Sequence, residues 1–130
     1  MGDPCFMWIR CLASDQHHFE KLGFVQDSIF GKLVHQNAPY ALVDELEDLA
    51  RKGVLFKGTN GNGESYGEQC FASDGKQVIY MDTVDGDPVI RCGSDPLPTP
   101  WIKLHYNDIV MYNMYVMAVA RIDAALKEVG

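Results

Sequence analysis

Positive charge is what this chain has least of. Lysine and arginine supply 11 residues against 18 aspartates and glutamates, a formal net charge of −7. Gripping nucleic-acid phosphates takes a basic stripe, so direct nucleic-acid binding is not expected. Such a balance fits solubility and a partner with a basic face. Cysteine is sparse as well. Cys5, Cys11, Cys70 and Cys92 include no C-x-x-C pair, which argues against a zinc ribbon or a thioredoxin-type motif. Asp3 and Pro4 stand where a secretory leader carries basic residues, and no apolar core follows them. A reducing, cytoplasmic setting with free thiols is therefore expected. No apolar run reaches the roughly 20 residues that cross a bilayer, so no membrane association is expected. There are no internal repeats and no low-complexity segments.

What is present suits one globular domain spanning 1–130, with 47% hydrophobic and 22% charged residues. Both faces of Cys5–Leu12 are apolar, which predicts a central strand. Ser14 reads as the cap of a short helix that Gly23 stops. From Phe24 to His35 the pattern is ambiguous: Ile29, Phe30, Leu33 and Val34 have helical spacing, but Gly31 interrupts them. Asn37-Ala38-Pro39 is expected to open a helix with the stripe Leu42, Val43, Leu46, Leu49 and Ala50, stopped at Gly53. A short strand at Val54–Phe56 and strands at 65–72, 77–83 and 88–92 form a β-meander over residues 54–92. Asp74-Gly75 and Asp85-Gly86 supply its turns, and Pro88 puts its last strand at an edge. After the proline-rich connector 95–100, a long helix is predicted from about Asn107 to Val129. From Ile109 to Ala120 only Asn113 is strongly polar, so that helix should be covered on more than one side. The fold class read from these elements is α+β: an antiparallel sheet of four to five strands packed by helices, one of them long and C-terminal.

The meander collects acid. Between Gly58 and Pro100 lie Glu64, Glu68, Asp74, Asp82, Asp85, Asp87 and Asp95 against Lys76 and Arg91. Two readings compete: a negative contact face, and turn chemistry that favours aspartate in each of these loops. As a contact face the residues are Glu64, Tyr66, Glu68, Asp82, Asp85 and Asp87. The run Asp82–Asp87 lacks the spacing of a calcium loop, so no metal site is expected. Glu64 and Glu68 fall about 13 Å apart along a strand, too far for an acid–base pair. Gly58–Gly63 neither carries a Lys-Ser/Thr step nor leads into a helix, so it is no phosphate loop. His17 and His18 are adjacent and should point in different directions on a helix; His35 and His105 are isolated. No catalytic set and no cofactor are expected. Met111, Tyr112, Met114 and Tyr115 suit either core packing or an adaptable contact surface, a dimer or partner helix.

The run Asn60–Asp82, NGNGESYGEQCFASDGKQVIYMD, resembles the central region of the SUKH superfamily. Those proteins join a Gly/Asn-rich turn to a Gly-Glu-aromatic-small step, then a further turn and a strand carrying Val, Tyr and Asp. The matching residues are Gly61, Gly63, Glu64, Tyr66, Val78, Tyr80 and Asp82. The resemblance implies an α+β bacterial immunity protein that binds and neutralises a competitor's toxin, often through an acidic face. The leading expectation is accordingly a non-enzymatic acidic protein that blocks a basic partner, a toxin first. A small phage-type inhibitor of a nucleic-acid-handling enzyme would have a similar composition. The rival expectations are a ligand-binding or enzymatic domain, with Cys70, His105 and Tyr106 lining a pocket between sheet and last helix, and a homodimer joined through the Met/Tyr helix.

Overall fold

The computed structural model describes residues 4–27, 32–63, 67–84, 87–88 and 99–129, and in the last helix the side chains of 110–127. The strands are β1 (Pro4–Cys11), β2 (Val25–Asp27), β3 (Lys32–Pro39), β4 (Phe56–Asn60), β5 (Gln69–Ser73), β6 (Val78–Val84) and the two-residue β7 (Asp87–Pro88). The helices are α1 (Gln16–Glu20), α2 (Val43–Arg51) and α3 (Thr99–Val129). The chain is α+β: one antiparallel sheet in the order β2-β3-β1-β4-β5-β6-β7, with α1 and α2 on one face and α3 on the other. β1 lies inside the sheet, paired with β3 and β4, as its two apolar faces predict. β4 through β7 form the expected meander. Among the described residues no helix is long and apolar enough to cross a membrane.

The sheet has more strands than expected because residues 25–27 and 32–39 are extended, where the pattern is ambiguous up to His35 and reads as a helix start from Asn37; Ile29, Phe30 and Gly31 lie outside the described residues. The signal is hidden by a bulge. Cys5 pairs with Ala38 and Met7 with His35, so β3 spends one residue more than β1 over that step. Leu33 and Ala38, five residues apart, both end up buried, and the period-2 pattern is lost. Pro39 closes β3 instead of opening a helix, and α2 begins only at Val43. At its other end α2 stops as predicted. Gly53 at φ +91° donates its amide to Ala50 O, and Val54 donates to Leu49 O, placing buried Val54 on Leu49. Val54 thus belongs to this cap, and the strand starts at Phe56. The same bonding closes α1, where Phe24 donates to Phe19 O.

The core on the α1/α2 face is threaded by aromatic rings. Phe24, Phe19, Phe56, Phe71 and Tyr80 succeed one another at centroid spacings of 6.0, 5.4, 6.2 and 5.7 Å. These edge and tilted contacts add roughly 0.5–1.5 kcal/mol each beyond area burial. Ser73 ties the cap of α2 to the β5–β6 turn: its hydroxyl donates to Val54 O at 2.7 Å and accepts the Gly75 amide. On the opposite face Ala118 and Ile122 of α3 pack on Ala72 and Ile79, flanked by Leu55, Tyr115 and Leu126. Lys57 pins this helix to β4 by donating to Asp123 Oδ1 at 2.6 Å.

Two expectations for α3 change. It starts at Thr99, with Pro100 tolerated in its first turn, where a proline leaves no helical hydrogen bond unmade. Within 110–127 only one side is covered; Met111, Tyr112, Val116 and Met117 are exposed.

Gly58 marks the closest approach in the sheet: a Cβ there would run into the Trp8 carbonyl oxygen and lie 3.1 Å from the Phe71 ring. Gly58→Ala should lower unfolding free energy in urea by about 3 kcal/mol, and Gly67→Ala, with open space around it, by less than about 0.5 kcal/mol.

Candidate functional site

The acidic residues singled out in the meander do not form one site among the described residues. Asp74 is used by its own turn. Its Oδ1 accepts the Lys76 and Gln77 amides at 2.8 and 2.9 Å. Slight burial pushes its carboxyl up, but these amide bonds outweigh it and hold the pKa below the usual carboxylate value. Glu68 accepts the Thr83 hydroxyl at 3.0 Å. Asp82 pairs across the ladder with Gln69 and so projects to the opposite face from Thr83 and Glu68. Glu64, Tyr66 and Asp85 lie outside the described residues, as does the side chain of Asp87.

The helix candidates separate too. Met114 and Tyr115 pack toward the sheet, and Met111 and Tyr112 face solvent. Tyr115 donates its hydroxyl to the Cys70 sulfur; burial raises the pKa of both groups, and the bond adds to the rise at Tyr115 while opposing it at Cys70. Burial, with Asp15 and Glu20 adding to it, pushes the Cys11 thiol up to about 12. These are inert structural thiols rather than nucleophiles. The side chains of His105 and Tyr106 lie outside the described residues, and Cys70 lines neither of the two described concavities. His17 and His18, expected to diverge, lie with ring centroids 4.0 Å apart and planes tilted by 39°. Among the described residues no group of three or more His, Cys, Asp or Glu could hold a metal ion.

The concavity that does form lies where β3 hands over to α2. It has a volume of about 510 Å³ and is lined by Pro39, Tyr40, Ala41, Val43, Asp44, Glu45 and Gln69. Its wall is built by an unusual backbone. Tyr40, Ala41 and Leu42 succeed one another at φ 51°, 52° and 52°, all left-handed and none glycine. Each residue held there costs about 1–2 kcal/mol, and such strain tends to collect where a side chain must be aimed. Here Ala41 and Leu42 turn into the core, and Tyr40 stands 60% exposed on the lip. Val43 beside it is exposed as well.

The rest of the lining is acidic or neutral. Asp44 and Glu45 occupy the first turn of α2, where the helix dipole favours carboxylates. Gln69 comes from β5, and its ladder partner Asp82 stands next to it on the same face. Further along α2, Asp48 is taken up by Arg51 at 3.1 Å. The site therefore offers an aromatic ring, a proline and a valine beside a pair of carboxylates, with no cation among the lining residues. That combination suits the apolar stem and charged head of a lysine or arginine. A signal for it is present in the sequence: Pro39-Tyr40 runs directly into the acidic block Asp44–Asp48.

Compared with known proteins, the chain matches no family model, no curated protein and no solved structure.

Among the described residues, two buried polar atoms lack a partner, the Tyr80 hydroxyl and Asn60 Oδ1. Asn60 is 1% exposed, and its Nδ2 donates to the Gly61 and Gly67 carbonyls. Tyr80 has its pKa raised by burial first, then by Glu47 and Asp44 of α2. Its neutral form is thus favoured in the fold, whereas the unfolded chain ionises above about 10. Stability held below that pH is lost as pH rises past it. Tyr80→Phe should gain about 1 kcal/mol near neutrality by removing the orphan hydroxyl, and should flatten the loss of stability between about pH 9 and pH 12 in urea titrations.

Proposed function

We propose that this chain is a non-enzymatic binding protein that blocks a partner with a basic face, and that the cleft at 39–45 takes a lysine or arginine of that partner. The observation that carries the reading is the left-handed turn at Tyr40–Leu42, which sets an exposed tyrosine beside Asp44 and Glu45. Charge supports it: the chain carries −7, so a basic protein is steered toward it and a like-charged one is not. The class of partner rests on the resemblance of Asn60–Asp82 to SUKH proteins: a toxin carried by a competing bacterium, with this chain as the immunity protein in the cytoplasm. Asp82, beside Gln69 on the cleft's face, extends the contact; Glu64, Tyr66, Glu68, Asp85 and Asp87 complete the proposed set of partner-binding residues.

The cleft is a recognition site and supplies no group for chemistry. Asp44 and Glu45 would act as hydrogen-bond acceptors and Tyr40 as a flat, rigid surface with little entropy to lose. A charged pair formed there is partly desolvated by Tyr40 and Val43, which strengthens it relative to an open surface pair.

The reading is tested with immobilised protein and the basic toxin encoded beside it, or the basic protein it captures from its host. Asp44→Lys with Glu45→Lys should weaken affinity by about tenfold or more and reduce the slope of log affinity against log salt. Equal affinity and an equal salt slope for the double variant would show that the cleft is not the contact.

A further inference from the structure

A second concavity lies on the other face of the molecule, along α3. It has a volume of about 300 Å³ and is lined by Met114, Met117, Ala118 and Arg121, with Asp74 on its outer rim. The four helix residues stand at i, i+3, i+4 and i+7. That is the set of corners that makes a hole for one side chain of a facing helix. The rim is fixed, since Arg121 Nη1 donates to the Asp74 carbonyl at 3.0 Å, and buried Ala118 forms the floor. At the same level stands Met117, 73% exposed, more than any other large apolar side chain described. One stretch of helix thus presents a hole and, beside it, an unburied side chain of a size to fill it.

We propose that α3 is the seam of a homodimer in which two copies pack antiparallel about a two-fold axis beside Met117 and Ala118. Met117 of each copy enters the groove of the other. Around that axis Met111 falls opposite Ala124, and Met114 opposite Arg121. Large side chains then meet small or long ones, as interdigitation requires. A parallel pairing would instead set Arg121 against Arg121 and Lys127 against Lys127.

Charge and size both point to a second copy. A chain of net charge −7 repels itself except through a face that lacks the acid. Over 110–127 the only acidic residue is Asp123, and it is held by Lys57. Over 110–127 the helix is about 27 Å long; half the wall of a cylinder of that length and about 11 Å across is about 470 Å². Two such faces bury about 900 Å² in all, the size of a weak, reversible interface, in keeping with association at micromolar concentrations. The seam is independent of the cleft, which lies on the opposite face of the sheet.

Sedimentation velocity from about 1 to about 200 μM tests it. The wild-type chain should pass from monomer to dimer over this range, and Met117→Glu should weaken the dimer by about tenfold or more with an unchanged circular-dichroism spectrum. A wild-type chain that stays monomeric throughout would overturn the proposal and assign the groove to a different partner. A Met117→Glu dimer of unchanged affinity would overturn it as well. If Met117→Glu does not fold, mild oxidation of Met117→Cys decides the matter. A cross-linked dimer beyond any formed by the wild type supports the seam, and its absence overturns it.

Discussion

The left-handed turn at Tyr40–Leu42 is the constraint on which the α2 side of the molecule depends. The chain arrives there along β3, beside the central strand, and has to reverse over the core within a few residues. Three successive residues at positive φ achieve this without glycine. Their combined strain, about 1–2 kcal/mol each, is held in place by the packing of α2. Leu42, Leu46, Leu49 and Ala50 are all buried, and each large side chain contributes about 1.5–3 kcal/mol on burial. The turn therefore persists because the α2 stripe is anchored on the Phe19–Phe56–Phe71 rings beneath it. Because the first two turns of α2 are set by the core, Asp44 and Glu45 are fixed in direction as well as in charge.

The sheet separates two tasks. On one face α2 and the turn form the acidic cleft. On the other, α3 packs with half of its girth and leaves the rest bare. Pairing through α3 would leave both clefts open, so a dimer and two bound partners are compatible. Trp8, on the α3 side of the sheet, receives Lys32 at 4.0 Å from its ring centroid, and next to Trp8 the cross-strand row Lys32, Arg10 and Lys57 ends on Asp123 of α3. Lys32, Arg10 and Lys57 thus sit on the sheet face away from the cleft.

Much of the fold can be read from residue patterns alone where one local rule acts. β1 declares itself through two apolar faces, α2 through its leucine stripe and Gly53, and the β5–β6 hairpin through Asp74-Gly75. The reading fails where two rules collide. In β3 a bulge sets the buried Leu33 and Ala38 five residues apart and so breaks the alternation that marks a strand. At Tyr40–Leu42 no glycine or asparagine signals positive φ, since the conformation is imposed by tertiary packing. The site was legible in kind but not in place. An acidic surface was evident from composition, yet Asp74 is consumed by its turn, and Glu68 and Asp82 face apart. The cleft joins residues 39–45 to Gln69, and pairing of β5 with β4, two strands from β3, is what brings them near.

The central claim is that the turn keeps Tyr40 in a strained conformation in order to present it. Urea unfolding of Tyr40→Gly tests this most directly, because glycine adopts φ near +50° freely while the tyrosine side chain is mostly solvent-exposed. Tyr40→Gly should be more stable than the wild type by about 0.5–1 kcal/mol, the relief of strain exceeding the added entropy of the unfolded chain. A variant less stable than the wild type by about 1 kcal/mol or more would show that Tyr40 is a packing residue and would contradict the account.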